Sequence, residues 1–167
     1  MSSSEETGSS GSSGEDFQGA HQEGFTRPKK AGQIKKGGYI VIKGKPCQVV
    51  SVTTSKTGKH GHAKAHITAL DIFTAKKYEE HTPSTHAVEE PIVVKAEFLL
   101  VELTPKGGVT FMEEDGSYDD SLELDTSGEI YKKIREYLDK DSDVMVTVTK
   151  AMGERHVTSA RVDSRVN

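Results

Sequence analysis

Residues Ser55 to Lys64 read Ser-Lys-Thr-Gly-Lys-His-Gly-His-Ala-Lys, and they hold the densest chemistry in the chain. Lys56, Lys59 and Lys64 supply amines and His60 and His62 supply imidazoles, with no acid and no large apolar side chain among them. Gly58 and Gly61 bracket Lys59 and His60, and glycines at such positions admit left-handed or extended turns that other residues resist. A long cation set between glycines can enter a narrow cavity without its neighbours striking the walls. Thr57, between Lys56 and Gly58, completes the candidate site.

Three kinds of catalysis are conceivable here, and each meets a physical objection. A phosphate-binding P-loop needs Gly where Thr53 stands and Ser or Thr where His60 stands. Metal binding through His60, His62 and His66 is opposed by the neighbouring lysines, and a single cysteine excludes the cysteine-rich zinc patterns. A nucleophilic Lys59 would need burial or cationic crowding to depress its pKa, and a glycine-flanked tip supplies little burial. No paired carboxylate or nucleophile–base arrangement offers a hydrolytic alternative. The reading is therefore no catalytic residue, no metal and no cofactor.

Presenting such a loop requires a rigid scaffold, and the flanks read as one. Tyr39–Ile42 and Cys47–Val52 are short β-branched strands separated by a Lys43-Gly44-Lys45-Pro46 turn. After the loop, residues 65–73 are apolar at Ile67 and Ala69, then shift phase to Leu70 and Ile72. Residues 76–81 read as a further strand, with a turn at Pro83-Ser84-Thr85. Close-spaced short strands without a helix predict a small barrel. Glu89-Glu90-Pro91 is read as the domain boundary, with Ile92-Val93-Val94 as a connecting strand. Beyond it, 98–103 and 109–112 form a hairpin around Pro105-Lys106-Gly107-Gly108, and Asp115-Gly116 marks another turn. Ile130, Ile134 and Leu138 recur at helical spacing over 128–138, with Thr126 and Ser127 as candidate N-caps. Val144, Val146 and Val148 alternate as a half-buried strand, and 155–162 closes the set. Four or five strands with a helix between the third and fourth match a five-stranded barrel of the OB type.

Charge divides the chain in the same way. Residues 1–25 carry five acids and no Lys or Arg; residues 26–91 carry twelve bases against five acids; residues 92–167 carry ten against sixteen. The net charge of −4 therefore hides a basic middle suited to a polyanionic partner and an acidic end that is not. Residues 1–26 are expected to be a disordered, Ser/Gly-rich acidic tail. No apolar run approaches the roughly 20 residues that span a bilayer, and no signal peptide is evident. Cys47 is the only cysteine, so no internal disulfide forms and a reducing compartment fits. At a strand start it reads as a buried filler.

Thr53 to Lys64, TTSKTGKHGHAK, closely resembles the modification loop of the eukaryotic translation initiation factor 5A family. The likeness continues through Asp71-Ile72-Phe73-Thr74, Lys76-Lys77-Tyr78-Glu79, Pro83-Ser84-Thr85-His86 and Ala151-Met152-Gly153-Glu154, covering about Lys36 to Ala160. The tail and the stretch Pro105–Ser127 depart from the family. The resemblance implies an all-β chain: an SH3-like barrel over 27–91 carrying the loop, then an OB-fold barrel with one helix over 92–167. It implies that Lys59 is converted to hypusine with an aminobutyl group from spermidine, by deoxyhypusine synthase and deoxyhypusine hydroxylase. It further implies a cytoplasmic, non-enzymatic translation factor that binds the ribosome and reaches toward peptidyl-tRNA, with a weak homodimer among its associations. Such a factor would aid peptide-bond formation at stalled sites such as consecutive prolines, and termination. Lys56, His60, His62 and Lys64 would contact phosphates around Lys59. The alternative reading is a general RNA-binding or chaperone-like β-barrel protein using the same basic loop.

Overall fold

The computed structural model describes residues 24–56 and 62–164. The expected tail as far as Glu23, and Thr57, Gly58, Lys59, His60 and Gly61 of the loop, lie outside the described residues. The chain divides into two compact units between Ile92 and Val93.

In the first unit, β2 (Tyr39–Ile42), β3 (Lys45–Lys56), β4 (Ala63–Asp71) and β5 (Lys77–Pro83) form a four-stranded antiparallel meander. Lys43 and Gly44 link β2 to β3 with φ of 53° and 77°. Positive φ at both central positions is the primed-turn geometry whose twist suits a two-residue hairpin. Contrary to the expected shift of phase, β4 keeps a single alternation, burying Ala65, Ile67, Ala69 and Asp71. Asp71 takes the inward position because its carboxylate has partners, accepting the backbone N–H of Phe73 at 2.8 Å and of Thr74 at 3.3 Å. The irregularity falls instead in β3, whose register slips between Val49 and Ser51, the kind of bulge that increases strand twist.

Two strands differ from the sequence reading. β1 (Thr26–Lys30) begins inside the assigned tail, and β6 (Ala87–Pro91) covers the residues read as a boundary; the two pair antiparallel. Their Pro and Glu content hides the strand signal, yet the charges are cross-strand partners: Arg27 and Lys29 reach Glu90 at 3.1 and 3.2 Å. Thr26 is buried, and Phe25 accepts a hydrogen bond from Ile92 N–H at 2.8 Å. A 3-10 turn, Ala31–Gln33, follows β1. Ala31, Ile34, Ile40, Ile42, Cys47, Val49, Ala65, Ile67 and Ala69 form the core, with Val88 of β6 packed against it.

The second unit is a five-stranded antiparallel sheet in the order β11-β10-β7-β8-β9. Its strands are β7 (Val94–Leu103), β8 (Gly108–Met112), β9 (Tyr118–Glu123), β10 (Val144–Ala151) and β11 (Glu154–Val162). β9, rich in acids, was not apparent from sequence, and Ile92-Val93 is a link rather than a strand. The sheet curls until its edge strands are bridged by Arg155 of β11 and Asp119 of β9 at 2.6 Å. β10 lies between β11 and β7, and in it Met145 and Thr149 are buried as well as the valines expected to face inward. Helix α1 (Glu129–Asp139) lies between the third and fourth strands of the unit and is N-capped by Gly128 with no side-chain cap bond. Ser127, one of the expected caps, bonds instead to Asp125. Ile134 of α1 is completely buried among Leu103, Val109, Phe111, Val144, Val146 and Val148, a burial that stabilises the unit by about 1.5–3 kcal/mol. The strand order and helix position are those of an OB fold, and the first unit is SH3-like. No helix among the described residues is long and apolar enough to cross a membrane.

Candidate functional site

β3 and β4 run beyond the core of the first unit as one hairpin. Thr53 pairs with His66, Thr54 with Ala65, Ser55 with Lys64, and Lys56 with Ala63, the closing pair. Thr53 to Lys56 are all exposed, and among their partners only Ala65 is buried. The β-branched Val52, Thr53 and Thr54 favour an extended strand where no core enforces one. Strand alternation puts Ser55 and Lys64 on the face that carries Thr53 and His66, and Lys56 and Ala63 on the other. Lys56, His62 and Lys64 thus gather, exposed, at the end of the hairpin. Thr57, Gly58, Lys59, His60 and Gly61 occupy the sequence between the closing pair and lie outside the described residues. No Asp or Glu occurs from Ser51 to Lys64. A run of amines without acids in the sequence suits a polyanion.

The outer face of β4 and β5 holds a group of which the sequence reading named only His66. His66 and His81 are directly opposite in register, their rings stacked at 3.9 Å with planes 16° apart. Glu79 Oε1 lies 2.7 Å from His66 Nε2. That hydrogen bond holds the Glu79 carboxyl below its ordinary range, with the fields of His66, Lys77 and His81 adding to it. The spacing of His81 and Glu79 by two residues was a visible signal, but the register that sets His81 against His66 was not.

The second unit lacks a comparable platform among its described residues. Phe111 is buried, Phe98 stacks on it at 4.9 Å, and Tyr131 and Tyr137 pack on the core. Only Tyr118, of these aromatics, stands free for stacking, at 67% exposure.

Fold and site together define a class: a β protein of two small units, the first with an exposed β3–β4 hairpin whose sequence between Lys56 and Ala63 is rich in Gly, Lys and His. Comparison with known proteins agrees. Residues 24–86 match the family described as "Translation initiation factor 5A-like, N-terminal", and residues 92–161 match "Eukaryotic elongation factor 5A hypusine, DNA-binding OB fold". The chain is similar to eukaryotic translation initiation factor 5A-3 of Arabidopsis thaliana, 43% identical over 136 residues that make up 81% of this chain and 86% of the relative. Among solved structures it is similar to a translation initiation factor eif-5a family protein from Naegleria fowleri, with a TM-score of 0.74 and 44% identity over 83% of this chain and 99% of that one. A second, eukaryotic translation initiation factor 5A from Methanococcus jannaschii, gives a TM-score of 0.63 at 26% identity over 81% and 95%. This chain belongs to the eukaryotic translation initiation factor 5A family.

Proposed function

We propose that the chain acts in the cytoplasm as a ribosome-bound translation factor whose working group is hypusine built on Lys59. The hypusine side chain would lie near the acceptor end of peptidyl-tRNA and promote peptide-bond formation at stalled sites such as consecutive prolines, together with elongation and termination. The observation that carries this reading is the exposed, acid-free β3–β4 hairpin, whose paired ends at Lys56 and Ala63 bracket the Gly58-Lys59-His60 sequence in a member of this family. Deoxyhypusine synthase would transfer the aminobutyl group of spermidine to the Lys59 amine, and deoxyhypusine hydroxylase would add the hydroxyl. The product is longer than lysine and carries two amines, so it offers charge neutralisation and hydrogen bonding to folded RNA without sequence readout. The ribosome keeps the chemistry; the factor contributes position and electrostatics. A weak homodimer is a further association open to the chain.

Lys59→Arg tests the reading, because arginine keeps the charge but cannot accept the aminobutyl group. The variant should fold normally and fail to relieve stalling on polyproline messages in reconstituted translation with modified protein as reference. Lys56→Arg, also charge-neutral, should retain most activity. Equal activity of Lys59→Arg and the modified protein would refute the proposal.

A further inference from the structure

We propose that His66, His81 and Glu79, on the outer face of β4 and β5, form a binding site for a borderline transition dication of the Zn2+ class. One ligand atom from each residue lies within 4.8 Å of the other two. The strands position all three. His66 and His81 are a directly opposed cross-strand pair, and Glu79, two residues before His81, shares its face by alternation. Bonds of about 2.1 Å at tetrahedral angles put donor atoms about 3.4 Å apart. His66 Nε2 and Glu79 Oε1 begin closer than that, at 2.7 Å. The remaining closure needs only side-chain rotation at a surface where His66 and Glu79 keep 39% and 49% of their area exposed.

Nitrogen lone pairs lie in the ring planes, so the stacked rings must rotate off one another before both can meet one ion. Two imidazoles and a carboxylate are a common three-ligand set for zinc, and a fourth position would stay open to water on the solvent side. Lys64 and Lys77 occupy the same face in the neighbouring register positions. Their field disfavours ions held by charge alone, such as Mg2+ or Ca2+, and leaves metals that bond imidazole strongly. A bound ion would replace the His66–Glu79 hydrogen bond and clip β4 to β5 at the base of the lysine hairpin.

Calorimetric titration of the full chain with ZnCl2 at neutral pH tests the assignment, with Co2+ absorption reporting coordination directly. One saturable equivalent is expected, with cobalt bands of a four- or five-coordinate site. His66→Ala and His81→Ala should each weaken binding about tenfold or more, while His86→Ala, whose residue lies outside the cluster, should leave it unchanged. All three side chains are exposed enough for folded variants, checked by circular dichroism. No saturable heat in the wild type would overturn the proposal. So would wild-type affinity in His81→Ala accompanied by loss in a His60→Ala/His62→Ala double variant, which would move the metal to the loop. Neither result depends on the modification of Lys59.

Discussion

Replacing Arg155 by Met should destabilise the second unit by about 1–2 kcal/mol, because this guanidinium joins the two edge strands of the curled sheet. Nη2 donates to Asp119 Oδ2 at 2.6 Å and reaches Ser121 Oγ at 3.4 Å, while Nη1 lies 3.8 Å from Glu113. The group also sits 5.9 Å over the Phe111 ring. Fully exposed ion pairs contribute about 0–1 kcal/mol, and hydrogen bonds to charged groups about 1.5–3 kcal/mol. With side chains 32% and 18% exposed, the Arg155–Asp119 pair falls between those limits. Methionine keeps the apolar stem on Phe111, so the loss is mainly electrostatic. At about 4–8 °C per kcal/mol for a domain of this size, the melting temperature of the unit should fall by about 4–16 °C.

The pH dependence gives a second readout. Hydrogen bonds from the Ser121 hydroxyl, from Arg155 and from Ser121 N–H hold the Asp119 carboxyl well below the usual carboxylate range. A carboxyl whose folded pKa is depressed contributes stability above its unfolded pKa, about 3.9, and loses it as pH falls toward the folded value. The gap between wild type and Arg155→Met should therefore be full at pH 7 and narrow below about pH 4. Calorimetry on wild type, Arg155→Met, Asp119→Asn and the double variant isolates the pair. A coupling energy below about 0.3 kcal/mol, within the scatter of additive sites, would refute this account, as would a gap that did not change with pH.

Three further outcomes are expected. Gly107→Ala should cost at least about 2 kcal/mol in urea unfolding, since φ is 99° and a Cβ would collide with the Leu124 carbonyl oxygen. Cys47, fully buried with its thiol pushed up to about 11 chiefly by desolvation, should resist a thiol reagent at pH 8 in the native state and react completely in denaturant. Lys64→Ala should weaken ribosome binding and flatten its salt dependence by about one unit of slope, the signature of one lost phosphate contact; an unchanged slope would move that contact elsewhere.

Much of the architecture was legible because it rests on local rules. The Lys43-Gly44 and Asp115-Gly116 turns need backbone conformations that glycine supplies. The four-residue recurrence of Ile130, Ile134 and Leu138 marks the apolar stripe of α1. The burial of Cys47 at a strand start follows from the same kind of pattern. The loop motif, with the stretches that accompany it, sufficed to indicate the family. Those features depend on residues near one another in the chain, so their order alone encodes them.

What escaped the sequence depends on partners far away. β1 and β6 are strands because Thr26–Lys30 meets Ala87–Pro91, and only that pairing turns Arg27, Lys29 and Glu90 from loop charges into cross-strand ion pairs. Asp71 is buried because the turn after β4 brings two N–H groups to its carboxylate, a compensation that no hydropathy pattern records. Val144, Val146 and Val148 read as the inner side of a half-buried strand, yet Met145 and Thr149 are buried as well, in a strand that lies between β7 and β11. His66 and His81 are fifteen positions apart, and a one-residue slip would turn one of them to the opposite face. Register, set by the whole packed sheet, is what brings them together with Glu79.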